Sequence, residues 1–328
     1  MSAAPTVTVI IPAYNAAPFI GRTLASLRAQ TFTDFEAIVV DDGSRDTTAE
    51  IVQAVADSDP RIRLIRQTNT GVAGARNRAL GEARGRYVAN LDSDDLWRPE
   101  FLERTLTALE DAGPGAVFAF ARTQWIDEHD RVLPGASPRL NPIVDYRELL
   151  TRNPVGNGSA MLMRTSTVLA VGGYDPILVR DFGQTEDWQL LLQLSWCGAV
   201  IAVDEPLVLY RIIPNSSSHA LEKSARAALE VIRRCETEGP PLRKLDYWTA
   251  RSLTLLWLAR RAVRMRRPWL GWRLAGSAYW CNPLWFTLKE LRDPILNFLL
   301  SPLAPLWPVR RPPEATSSPA PEITAEAA

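Results

Sequence analysis

The run Asn90-Leu91-Asp92-Ser93-Asp94-Asp95 places three carboxylates within four positions, after an apolar stretch and just before Trp97. Carboxylates this close repel one another unless a cation or a strong set of donors offsets them. Hard oxygen ligands with few protein contacts leave positions open for water and diphosphate, so the loop reads as a place for Mg2+ or Mn2+ carrying a phosphorylated ligand. The local alternative is a helix cap, with Asp94 or Asp95 closing the helix that starts near Pro99. Four further groups carry chemistry: Tyr14 with Asn15, Asp41 with Asp42, Arg76, and Glu186 with Asp187. Each has a purely structural reading too. Tyr14 can be a half-buried core tyrosine, Asp41 or Asp42 can cap a turn through Gly43 and Ser44, and Arg76 can be a solvated helix arginine. Glu186 and Asp187 can simply favour the first turn of a helix, an effect of roughly 0.3 to 1 kcal/mol.

The elements that must hold these residues follow from periodicity. The apolar, β-branched runs TVTVIIP, FEAIVVDDGS, RIRLIRQ and RYVANLDSDD read as strands. Helical patterns intervene at 16–30, in AEIVQAVAD and in VAGARNRALGEA. That alternation specifies parallel crossovers, hence an α/β sheet whose ligands bind beyond the carboxyl ends of its strands. Tyr14 and Asn15, Asp41 and Asp42, and the acidic loop all fall at that edge. Further on, AVFAFART and SAMLMRTS read as strands, 132–142 as a loop and 167–171 as a short helix. TEDWQLLLQLSWCG reads as a helix capped by Thr185, and VIAVDEPLVLYRI as two short strands. Helices are expected at 220–235 and 242–263, and a disordered tail at 312–328.

Lys and Arg balance Asp and Glu at 37 each in 328 residues, which argues against a nucleic-acid binder working through overall positive charge. Residues 241–311 depart from that balance, with thirteen basic and three acidic residues and seven of the eleven Trp. The uncharged runs at 274–288 and 294–309 are shorter than the ~18 residues a membrane span needs. An interfacial anchor on anionic lipid fits this region, and so does a helical subdomain packed on the rest of the chain. Cys197, Cys235 and Cys281 lack the spacing of a zinc site or disulfide framework, and the first fifteen residues lack a signal-peptide pattern. A cytoplasmic protein associated with the inner face of the cell membrane is the expectation.

Three segments, VTVIIPAYNAAPFIGRTLASLRAQTFTDFEAIVVDDGSRDTTAEI, NTGVAGARNRAL and NLDSDDLW, resemble in order the family 2 glycosyltransferases, with GGYD, TEDW and LYRI extending the likeness to about residue 218. The resemblance implies a GT-A fold, a Rossmann-like mixed α/β sheet flanked by helices, over 1–218. Residues 5–100 would form its nucleotide-binding half and 101–218 its acceptor half, with a helical appendage at 219–311. It implies an inverting enzyme that moves a sugar from a nucleotide-sugar donor, UDP-linked, to a glycan or lipid-linked acceptor. Pro12, Tyr14, Asn15, Asp41, Asp42, Arg76, Asp92 and Ser93 would hold the donor, with Tyr14 stacking on the base and Asp42 accepting from the uracil imide. Asp92 and Asp94 would form the DXD metal pair for Mn2+ or Mg2+, Asp94 as the direct ligand. Asp187, beside Glu186, would be the catalytic base, its basicity lowered by the helix start. Many relatives carry a His where this chain has Ile213, so either water or diphosphate oxygen fills that position of the metal shell, or His219 does, or metal dependence is weakened. A nucleotidyltransferase and a noncatalytic sugar-nucleotide-binding scaffold are the rivals. The former would need a basic, Gly-rich loop where PAYNAAPF stands.

Overall fold

The computed structural model describes residues 4–182, 185–213 and 221–282. Four parallel strands occur where the alternating pattern places them: β1 (Val7–Ala13), β2 (Phe35–Asp41), β3 (Ile62–Arg66) and β4 (Tyr87–Asn90). β1 and β2 are buried along their whole length, which is why they read as continuous apolar runs: helices cover both faces of the sheet. The crossovers are α1 (Ile20–Arg28), α2 (Thr48–Ser58) and α3 (Gly71–Leu80). Ala13 pairs with Asp41 and Ile10 with Asn90, so the chain leaves β1, β2 and β4 along one edge. That alignment brings three separated polar segments together.

The sheet continues beyond β4 in mixed orientation. β5 (Leu96–Trp97), β6 (Ala116–Ile126), β9 (Met161–Arg164) and β10 (Ala199–Arg211) complete the order β3-β2-β1-β4-β9-β6-β10-β5. β9 runs antiparallel to β4 and β6, while β6 and β10 are parallel. The 132–142 segment, expected as a loop, instead contains β7 (Val132–Ala136), an antiparallel partner of β6, and β8 (Ile143–Val144) pairs with β10. VIAVDEPLVLYRI forms one strand, not two. Its register slips on either side of Pro206, which has no amide hydrogen for the ladder, so the proline marks an irregularity rather than a strand end.

α4 (Phe101–Asp111) lies near the sheet's β6 end, and its cap position is Glu100, so neither Asp94 nor Asp95 caps it. α5 (Tyr146–Arg152) and α7 (Pro176–Phe182) are seven residues each, too short to show periodicity. Between them α6 (Thr165–Ala170) begins two residues earlier than expected, and α8 (Glu186–Ser195) follows. Three helices close the described chain: α9 (Leu221–Glu238), α10 (Lys244–Arg264) and α11 (Pro268–Cys281). Val231, Ile232, Cys235, Tyr247 and Ala250 join the apolar core of the sheet. A smaller cluster holds the rest of α10 and α11 together with the start of α9. His219 and the expected disordered tail lie outside the described residues.

Candidate active site

Backbone and side chains interlock where β1 and β2 end. Asn15 takes the left-handed conformation (φ 49°), its amide donates to Ser44 Oγ, and its own Oδ1 accepts from the Arg45 amide. Tyr14, just before it, is 49% exposed, an open ring beside the loops of both strands. Pro12 stays buried inside β1. Asp41 accepts from the Ser44 amide and so makes the local turn. Asp42 turns the other way. Its Oδ1 accepts from Gln67 Nε2 (2.7 Å) and the Thr70 amide (2.8 Å), and its Oδ2 from the Gly71 amide (2.8 Å). A carboxylate from the β2 loop thus serves the open amides at the start of α3, where Gly71 has φ 82°.

α3 carries Arg76 into the interior. The guanidinium is 3% exposed, and donates to Asp92 Oδ1 and to Glu186 Oε1, each at 2.6 Å. Burial opposes its charge, but Asp92 and Glu186 outweigh burial and raise its pKa. It lies 5.3 Å from the centre of the buried Tyr174 ring. The backbone of Tyr174 is clamped by both ends of the Asn77 amide, while its hydroxyl accepts from Asn90 Nδ2 at 2.5 Å. Gly158 closes the other side. A Cβ there would stand 2.9 Å from Arg76 Nη2 and 3.4 Å from Asp92 Oδ2, so the narrow space admits only glycine without a shift. Arg76 is therefore the link between the acidic loop and α8, not a solvated helix arginine.

The acidic loop is braced from several elements. Thr23 Oγ1 of α1 donates to the carbonyls of Ser93 and Asp95. Asp95 is buried and accepts from Ser159 Oγ (2.6 Å) and the Arg211 amide (2.9 Å). Ser159 Oγ also accepts from the Asp92 amide, and its carbonyl takes the Trp97 indole N–H. Arg211, at the end of β10, donates to the Asp94 carbonyl (2.7 Å) and pairs with Asp130 (2.5 Å). Asp95 is thus a brace; burial, then Asp94 and Asp92, push its carboxyl well above the ordinary range.

Asp94 differs from its neighbours, because no donor other than its own amide reaches its carboxylate among the described residues. Burial and the nearby Asp92 push its carboxyl up to about 6. A carboxylate strained in this way is one a cation would relieve, and the Asp92 carboxylate adds to the strain electrostatically. No cluster of three His, Cys, Asp or Glu suited to a metal occurs among the described residues, and Ile213, which follows β10, offers no ligating atom. Asp94→Asn removes the repulsion, so in EDTA at pH 7.5 the variant melts higher than the natural protein, by about 2 °C for roughly 1 kcal/mol after allowance for solvent screening. The sign follows from a folded-state pKa above the unfolded one. The natural protein gains relative stability as pH falls through about 6, so the variant's advantage shrinks at pH 5, as paired melts at the two pH values would show.

α8 begins with the second acidic pair. Thr185 does not cap it: the residue has φ 82°, outside the extended conformation a cap requires, and its side chain makes no capping hydrogen bond. A β-branched residue in this region stores strain of about 1–3 kcal/mol, as residues beside active sites often do. Glu186 is buried against Arg76, and Asp187 Oδ1 accepts from the Trp188 amide. The expected lowering of Asp187 by the helix start is overturned. Burial, then Glu186 and more weakly Asp92, raise its carboxyl to about 6 against the opposing effect of Arg76. Trp188 anchors this end by donating its indole N–H to the Leu149 carbonyl of α5.

One arginine thus joins a carboxylate of the acidic loop to a carboxylate of the α8 start at the sheet edge. Residues 8–169 match the model of "Glycosyl transferase family 2". TuaG of Bacillus subtilis (strain 168), a glycosyltransferase assigned to teichuronic acid biosynthesis, is 32% identical over 233 residues, 71% of this chain and 89% of its own length. The chain belongs to glycosyltransferase family 2. As a family 2 glycosyltransferase it is an enzyme, and the nucleotidyltransferase and noncatalytic alternatives fall away. Its fold is that of solved relatives with GT-A architecture. S. aureus TarS 1-349 in complex with UDP-GlcNAc has a TM-score of 0.56 at 20% identity, covering 84% of this chain and 89% of that one. The mannosyltransferase PcManGT from Pyrobaculum calidifontis, in complex with GDP-Man and Mn2+, has a TM-score of 0.59 at 18% identity, covering 93% and 88%.

Several residues that shape this glycosyltransferase's site carry no role in the sequence reading. Ser159 sits in GNGSAMLM, whose only visible signal was a strand. Thr23 looks like an ordinary helix residue, while Arg211 and Tyr174 belong to the LYRI and GGYD markers without an assigned task. Each acts through contacts across more than 60 positions of sequence, which periodicity does not report.

Proposed function

We propose that this family 2 enzyme is an inverting transferase that takes a sugar from a UDP-sugar to a hydroxyl of a glycan or lipid-linked acceptor at the cytoplasmic face of the membrane. The observation that carries this reading is the Arg76 bridge, because it fixes the Asp92–Asp94 loop and the Asp187 helix as one unit. Tyr14 offers an exposed ring for the nucleotide base. Among the described residues only the Gly71 amide donates to Asp42 Oδ2, and a carboxylate oxygen can accept two, so one acceptor position remains for a uracil imide. Pro12, Asn15, Asp41 and Ser93 set the shape of the donor edge. Bound by Asp92 and Asp94, Mn2+ or Mg2+ would offset charge growing on a departing diphosphate. Support for a UDP donor and for the metal comes from what TarS and PcManGT bind.

Asp187 performs the proton transfer. Its carboxylate takes the proton from the acceptor hydroxyl as that oxygen bonds to the anomeric carbon; the bond from that carbon to the diphosphate oxygen breaks, and its electron pair leaves with the nucleotide. Attack opposite the leaving group inverts the configuration. Nuclear magnetic resonance of early product from a UDP-α-sugar tests this, with the β-linked product expected and retained α configuration contradicting it.

A base with a pKa raised to about 6 is mostly ionised at pH 7.5 and loses its function as pH falls through that value. At saturating Mn2+, so that protonation of Asp94 does not limit metal binding, kcat/KM is expected to fall about tenfold per pH unit below 6. A profile flat from pH 7.5 to pH 5 would remove Asp187 from the role of base.

A further inference from the structure

The last two described helices carry a surface that the transfer reaction does not use. On α11, Trp269, Trp272, Gly276 and Trp280 recur at three- and four-residue spacing and lie exposed, while Leu270, Leu274 and Ala278 on the opposite side are buried. Trp269 is 84% and Trp280 82% exposed, a large apolar area to leave in water. On α10 the same spacing aligns Trp257, Arg260, Arg261 and Arg264, with Arg261 5.5 Å from the Trp257 ring centre. From Lys244 to Asn282 there are eight basic residues and one acidic residue, Asp246, which is buried and held by Arg147 and Arg243. Arg251 and Arg273 pair with α9, through Glu236 and Glu222. Among the described residues, Arg260, Arg264, Arg266 and Arg267 pair with no carboxylate, whereas the other salt bridges of these helices are to Asp246, Glu236 and Glu222. Burial and Arg264 together lower the pKa of Arg260, as expected where cations crowd without counter-charge.

We infer that α10 and α11 form a membrane-docking surface, lying in the interfacial plane of an anionic bilayer with the tryptophans at headgroup level and the arginines on lipid phosphates. Charge complementarity selects this partner, since a surface whose arginines meet no carboxylate among the described residues needs anions and the interleaved tryptophans need a boundary between water and hydrocarbon. No helix among the described residues is long and apolar enough to cross a membrane. The surface also lies within electrostatic reach of the site. Arg261 interacts electrostatically with Tyr210, which in turn senses Asp95, Asp94 and Asp92. Docking would therefore bring the acidic loop close to the bilayer, where a lipid-linked acceptor resides; only this last point rests on the proposed function.

Sedimentation of the full chain with phosphatidylcholine vesicles, with and without phosphatidylglycerol, tests the inference without requiring turnover. Binding to the anionic vesicles alone, reversed by high salt, is expected. Arg260→Gln, Arg264→Gln and Arg267→Gln combined should weaken it about 100-fold, at about fivefold per arginine. Trp269→Ser with Trp280→Ser should weaken it further, and tryptophan fluorescence of the natural chain should be quenched by lipids brominated near the headgroup, a readout independent of how the variants fold. Absence of vesicle binding overturns the inference, as does equal binding by the substituted chains, which would place the contact elsewhere. Retention on a soluble polyanion without vesicle binding would mean the surface recognises an anionic glycan instead.

Discussion

Asp187→Asn is expected to lower kcat by about 10²- to 10⁴-fold while leaving donor affinity nearly unchanged, the pattern for loss of a general base. Asparagine keeps the size and the hydrogen bond to the Trp188 amide, so α8 keeps its start. It cannot take a proton. Asp187 lies within reach of the field of Arg76, Glu186 and Asp92 but is not one of the two carboxylates that Arg76 grips, and its removal spares the bridge. Comparing kcat with UDP affinity from calorimetry separates the two effects: a drop in affinity with kcat intact would make Asp187 a donor-binding residue.

Arg76→Ala is expected to cost about 3–5 kcal/mol of unfolding free energy as well as activity, because it leaves the Asp92 and Glu186 carboxylates without the cation they share. The Tyr174 ring would also lose the group stacked on it. Arg76→Lys should recover part of the stability but little of the turnover, since one ammonium cannot span two carboxylates on separate elements as the guanidinium fork does. Urea unfolding of the three proteins checks this. An alanine variant within about 0.5 kcal/mol of the natural protein, the range of an ordinary surface substitution, would show that the bridge has no structural weight.

The first hundred residues were legible because their signals are local. β1, β2 and their helices follow from apolar periodicity, and the parallel alignment then forces Tyr14, Asp42 and Asp92 to one edge. Asp92, Arg76 and Glu186 were each visible singly, yet their meeting was not. It depends on Gly158 being small enough for Arg76 to pass and on Tyr174 supporting it, contacts of long sequence separation. The direction of the Asp187 shift was misread for the same reason: the helix start is a local feature, whereas burial and the neighbouring Glu186 come from packing. Pro206 misled the strand count because its missing amide reads as a strand end whether or not β10 continues past it.

The central claim is that the Asp92–Asp94 loop and Asp187 form one catalytic unit. The most direct measurement is turnover of UDP-, GDP- and dTDP-sugars with and without Mn2+ by the natural protein, Asp94→Ala and Asp187→Asn. Mn2+-dependent turnover of a UDP-sugar that either substitution reduces by orders of magnitude is the predicted result. Turnover indifferent to Mn2+ and to both substitutions would contradict it.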